Sequence, residues 1–226
     1  MGSGGHIAPR CRQRWYFDGV EFTFILGAAS IAIAIVAYGV YLWQASRAGN
    51  IQPHPFSWLL WGLVTGIAYI VQASTGGGAG SWVTGLTAVA CILIGSFSLI
   101  RHQWQFSVFD WLSLGAGLLL LAYYLLARNL VLSAILATAM DVVGYGPTVR
   151  KGWAKPYNDS ASSFALNSAK FILAICALKS YSVTTWLYPA TLVLVNGSVA
   201  LMLVLRRRRL GIAFQSSGIE LGRSKQ

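Results

Sequence analysis

The sequence predicts an all-α membrane protein with seven transmembrane helices, arranged as two parallel three-helix repeats joined by a linker helix. Three observations predict it: a shortage of charge, seven separate apolar runs, and a pattern that occurs twice. Only 10% of the 226 residues are charged and 56% are hydrophobic, whereas a soluble domain carries about a quarter charged residues. Each run is close to the roughly 20 residues that a spanning helix needs. Open strands would leave their backbone groups unsatisfied in lipid, so the runs are read as helices.

Taken in order, residues 1–21 are a basic, Gly-rich N-terminal tail: a flexible arm, an overlong start, or an added segment. The apolar run that follows is too long for a signal-peptide core and lacks an obvious small-residue cleavage site. The runs fall at about 22–44, 57–73, 82–100, 107–127, 129–149, 160–179 and 183–205. This divides the chain into a first repeat over 22–101, a linker helix over 107–127, a second repeat over 129–205 and a basic cytoplasmic tail over 206–226. Cys11, Cys91 and Cys176 lie far apart without metal-ligand spacing, and the last two read as small packing residues.

Seven spans place the termini on opposite sides. The C-terminal side collects eleven basic residues and the other side five, three of them in the tail. The positive-inside rule then puts the C-terminus in the cytoplasm and the N-terminus outside. The net charge of +11 therefore does not call for nucleic acid. "LRRRRLG" (205–211) directly follows a helix and reads as a topological anchor, with binding of anionic lipid or RNA as the other reading. "STGGGAGSW" (74–82) lacks the Gly-Lys-Ser/Thr ending of a phosphate loop and reads as a tight, closely packed turn. His54, in a cytoplasmic loop, is either a pH sensor or without a role.

Three matches support the repeat. Tyr38-Gly39 corresponds to Tyr145-Gly146 at an offset of 107, and Ser57-Trp58 to Ser163-Phe164 at 106. Trp82 and Thr87 correspond to Trp186 and Thr191 at 104. The drift needs only short loop deletions. Three helices, one helix and three helices make the two triplets parallel.

Asp141 and Lys170 are the clear charged residues at membrane depth, where a charge costs several kcal/mol unless paired or hydrated. They fall near the midpoints of sequential antiparallel helices, which predicts an ion pair between them. Asn196 sits at the same depth in the seventh helix. Ser160, Ser163, Asn167 and Lys170 share one helical face, as do Thr138, Asp141, Tyr145 and Thr148. Two such stripes suit a hydrated cavity; the pair is otherwise purely structural, tying helices together. Pro147 removes a backbone bond and is read as a kink and gating hinge. Trp61 is read as lining the cavity, and Trp58 as an interfacial anchor or a second lining residue. No Cys/His cluster, nucleophile elbow or paired carboxylates occur, so the sequence predicts no enzyme, no metal and no cofactor. The seventh helix lacks the Schiff-base lysine expected of a retinal protein.

"GYGPTVRKGWAKP" places a proline within a helix ahead of a polar residue and a basic loop, and "LVNGSVALM" carries a Val-Asn-Gly segment. With the three-one-three layout, these pieces resemble the SWEET and PQ-loop superfamily of small-solute transporters. The resemblance implies a solute site at Asn196, proton coupling at Asp141, and homo-oligomeric association. Thr148 stands where the family usually has glutamine, Val40 where the first repeat would have its proline, and Cys91 or Ile92 where the third helix would have an asparagine. Lys170 is outside the sugar-transporter pattern and fits an anionic or zwitterionic solute. The expected protein is thus a small polar-solute transporter of a bacterial-style inner membrane, with membrane lipid around it. The alternative is a multi-pass scaffold or sensor whose buried polar residues only fix the packing.

Overall fold

The structure, a computed structural model, describes residues 10–47, 53, 55–101, 108–127 and 129–223. His54 and the first nine residues lie outside them. The described chain is helical without strands: α1 (Arg10–Arg47), α2 (Pro55–Ser74), α3 (Trp82–Arg101), α4 (Val108–Ala127), α5 (Leu130–Gly144), α6 (Gly146–Ala154), α7 (Ala161–Cys176) and α8 (Val183–Arg223). A short 3₁₀ turn, η1 (Gly78–Ser81), precedes α3, and another, η2 (Pro156–Asn158), follows α6.

Helices α5 and α6 form one rod broken at Tyr145, so seven rods stand where seven apolar runs predict them. Among the described residues five are long and apolar enough to cross a membrane: 21–46, 55–74, 78–100, 130–154 and 183–211. The other two, 114–127 and 161–176, are shorter apolar helices. This is the composition of an integral membrane protein. The sixth apolar run ends earlier than expected because "AICALKS" turns at Ala177.

Two boundaries differ more. The expected tail over 1–21 is helical from Arg10, and the expected basic tail is helical to Arg223. Residues 10–21 and 206–223 contain no proline to stop a helix once lipid-embedded turns have nucleated it.

The break at Tyr145 follows from Pro147, which has no amide hydrogen to offer the carbonyl of Val143. The Tyr145 amide turns to Val142 O instead, at 3.1 Å. A second proline, Pro189, lies inside α8 and leaves the carbonyl of Thr185 without its helical donor. Gln72 of α2, fully buried, supplies the missing bond from Nε2 at 3.0 Å.

Neighbour relations set the architecture. Helix α3 packs on α1 and α2, and α8 packs on α5 and α7. Between these groups α1 meets α7, α2 meets α5, α2 touches α8 and α3 touches α7. Helix α4 lies against α2 and α5. The α2–α3 seam is close because Gly62 and Gly95 face side chains: a Cβ at 62 would lie 2.6 Å from Ile92 Cγ1, and one at 95 would lie 2.9 Å from Leu59 Cγ. The core between groups is built from Val64, Ile67, Val71, Phe171, Ala174 and Tyr188.

One end of the bundle is closed by its two loops. The glycine-rich turn takes positive φ at Gly76 and Gly78, as its residues allow. It docks on the loop after α7, with Gly80 N donating to Ala177 O at 3.1 Å and Lys179 N to Gly77 O at 3.3 Å. Gly80 lies so close to Ala174 O and Leu178 that a side chain would collide.

Candidate functional site

Ser160 caps α7, its Oγ accepting from the Ser163 amide at 3.3 Å. Two and a half turns later the helix places Lys170 wholly inside the bundle. Nζ donates to Tyr38 Oη of α1 at 2.8 Å and to Thr87 Oγ1 of α3 at 2.9 Å. It also lies 4.3 Å from the Tyr38 ring centroid and 4.9 Å from that of Phe171. Thr87 donates its own proton to Val83 O, so its lone pairs face the ammonium. Two hydroxyls and two ring faces thus carry the charge.

Asp141 on α5 is also buried. Its Oδ1 accepts from Tyr188 Oη of α8 at 3.1 Å, and Tyr188 Oη bonds to Thr65 Oγ1 of α2 at 2.7 Å. With Tyr188 donating to the carboxylate, Thr65 must donate to Tyr188. Oδ2 has no hydrogen-bond partner among the described residues.

The expected Asp141–Lys170 ion pair is therefore not formed. The two share a depth along the sequence but face different neighbours: Lys170 faces α1 and α3, and Asp141 faces α2 and α8. The rings of Phe171 and Tyr188, 6.5 Å apart, connect the two sets.

One turn beyond Asp141 is an aromatic file. Tyr41 lies 4.9 Å from Trp58, Trp58 5.7 Å from Trp61, Trp61 5.1 Å from Tyr145, and Tyr145 6.5 Å from Phe164. Trp58, half-buried in this file, packs inside the bundle as well as near a helix end. Tyr145 Oη donates to Asn196 Oδ1 at 3.2 Å, while Asn196 Nδ2 donates to Leu192 O. Trp61 Nε1 is buried without a hydrogen-bond partner among the described residues and lies 2.5 Å from where a Cβ on Gly144 would stand. Only glycine at 144 leaves the indole this position.

Tyr145 thus brings two expected residues, Trp61 and Asn196, to one place, with Asp141 a turn away. Asn167 is half-buried and folds back on its own helix, Nδ2 donating to Ser163 O at 2.9 Å. Pro147 follows the break rather than sitting inside a continuous helix. Tyr188 and Thr65 were not singled out by sequence. The signal for Tyr188 was its spacing of eight from Asn196, two turns up the same face; Thr65 had none, since a lone threonine in an apolar run commonly bonds its own helix.

No protein-family model, no curated protein and no solved structure matches this chain.

Proposed function

We propose that this chain is a membrane transporter for a small polar solute, built from two parallel three-helix repeats with the solute site between them. The reading rests on one observation: the neighbour relations map onto themselves when α1, α2 and α3 are exchanged with α5, α7 and α8. The contacts α1–α3 and α2–α3 become α5–α8 and α7–α8, and α1–α7 becomes α2–α5. Even the lesser contacts α2–α8 and α3–α7 exchange.

The buried polar clusters obey the same exchange. Tyr38, Thr87 and Lys170 come from α1, α3 and α7; Asp141, Tyr188 and Thr65 come from α5, α8 and α2. One cluster is cationic, the other acidic. A zwitterionic solute presents the matching pair of charges, its carboxylate to Lys170 and its ammonium to the open Oδ2 of Asp141. Trp61, Asn167 and Asn196 complete the enclosure in this reading, with Tyr145 between the first and last. The break before Pro147 acts as hinge, and the repeats rock about the site. Protonation of Asp141 removes its charge and couples the movement to a proton. The C-terminus faces the cytoplasm, no covalent chemistry is performed, and copies associate as the SWEET resemblance implies.

The test is counterflow of labelled zwitterionic amino acids in liposomes containing the purified protein. Exchange is expected to respond to a pH gradient in the wild type. Asp141→Asn, folded, is expected to lose that response; an unchanged response ends the coupling claim. Single cysteines at 167 and 196 are expected to react with a membrane-impermeant thiol reagent. Silence from both sides in a folded protein would favour the scaffold reading, which the hydrogen bonds of Lys170 to Tyr38 and Thr87 support.

A further inference from the structure

Outside the polar clusters, a groove of about 310 Å³ runs along the outer face of α8. Its floor is Ser198, Leu201, Met202, Leu205, Arg206 and Arg209. Their spacing is that of one helical face over three turns. The wall is Trp153 of α6. It is held close because Gly152 lets α6 approach α8: a Cβ there would lie 2.9 Å from Leu203 Cδ2 and 3.1 Å from Met202 Cε.

The four arginines that end the apolar part of α8 divide by what they touch. Arg207 is used by the fold: Nε donates to Pro156 O, Nη2 to Asp159 O, and its guanidinium lies over the Tyr157 ring. Arg206 donates from Nε to Trp153 O at 3.1 Å and sits 5.0 Å from the Trp153 ring. That leaves both its Nη groups without a hydrogen bond among the described residues, on a guanidinium already held in place. Arg209, one turn on, is exposed on the same face, whereas Arg208 points elsewhere on the helix and does not line the groove. A fixed guanidinium with two open Nη groups is suited to paired anionic oxygens.

We infer that this groove holds one anionic phospholipid, its phosphate between Arg206 and Arg209 and one acyl chain along Leu205, Met202 and Leu201. Charge selects the headgroup, and length selects a lipid over a free phosphate. The eleven helical steps from Ser198 to Arg209 rise about 16 Å. This is close to half of the roughly 30 Å hydrocarbon core, the depth of one leaflet. The indole of Trp153 stands where interfacial tryptophans stand, beside the headgroup level. The site is independent of whether the chain transports anything.

The experiment is native mass spectrometry of the full-length protein released from nanodiscs of mixed phosphatidylcholine and phosphatidylglycerol. One phosphatidylglycerol is expected to be retained in preference to phosphatidylcholine. Arg209→Gln is expected to weaken its retention about fivefold, as the loss of one lipid-facing basic residue does. Arg208→Gln, with the same charge loss outside the groove, is expected to change it less than twofold. Leu201→Trp fills the apolar floor while keeping every charge and is expected to lower retention as well. Equal retention of the two lipids, equal loss from Arg208→Gln, or displacement by inorganic phosphate would each overturn the assignment.

Discussion

Lys170 is costly to bury and cheap to satisfy only while both hydroxyls are present. Removing the Tyr38 hydroxyl leaves an ammonium with one oxygen partner, a loss of about 1–3 kcal/mol. Removing the ammonium itself deletes a desolvation cost, and Tyr38 and Thr87, both within 3 Å of Nζ, are left able to bond each other. Tyr38→Phe is therefore expected to destabilise the protein more than Lys170→Met, and the double variant less than Tyr38→Phe alone. Unfolding in mixed SDS micelles measures all three. The reverse order would mean that the contacts of the ammonium outweigh its burial. The presence of a charge at mid-helix was legible from "NSAKFILAICAL"; its partner was not. Apolar runs report depth, whereas partners depend on the rotation of each helix and on which helices are adjacent, and short polar residues such as Thr87 carry no outward sign of either.

Helices are where the sequence spoke most clearly, because apolar length is a one-dimensional property. The two prolines behave differently, and the difference is instructive. Pro147 breaks its rod at Tyr145, whereas Pro189 leaves α8 intact because a side chain from another helix replaces the lost donor. Gln72→Leu strands the Thr185 carbonyl and is expected to cost about 1–3 kcal/mol. Adding Pro189→Ala returns an amide to that carbonyl, so the double variant is expected to recover most of the loss. Thermal unfolding in detergent reads both; no recovery would mean that Gln72 acts by packing alone. The extra turns of α1 and α8 beyond their apolar runs were not legible, since hydropathy marks where lipid ends and not where a helix does.

For the whole molecule, two groups of helices meet through matched contacts and are joined at one end by loops. Gly76 and Ser180 face each other across that joint, with 3.6 Å between Ser180 Cβ and an ideal Cβ at 76. This lies within the Cβ separation of a disulfide, about 3.5–4.5 Å. Gly76→Cys with Ser180→Cys, in a chain lacking its native cysteines, is expected to cross-link on oxidation despite strain of about 1–3 kcal/mol from the positive φ. If the groups rock, the bond stops solute exchange and a reductant restores it. Exchange undiminished by a completed cross-link would show that this end does not open. The proposed repeat shows in only a few identities of the sequence, because in that reading the two halves preserve helix order while using different side chains: Lys170 corresponds to Val64, and Asp141 to Ala34.

The bond from Gln72 to Thr185 spans 113 positions of the chain. At the usual pace of synthesis, about 5–20 residues per second, its donor exists roughly 6–20 s before its acceptor. Tyr38 and Thr65 wait similarly for Lys170 and Tyr188. A nascent first half therefore stands in lipid with polar groups turned toward helices that have not been made. The insertion machinery meets a chain whose early helices are complete in length but incomplete in chemistry until the last one arrives.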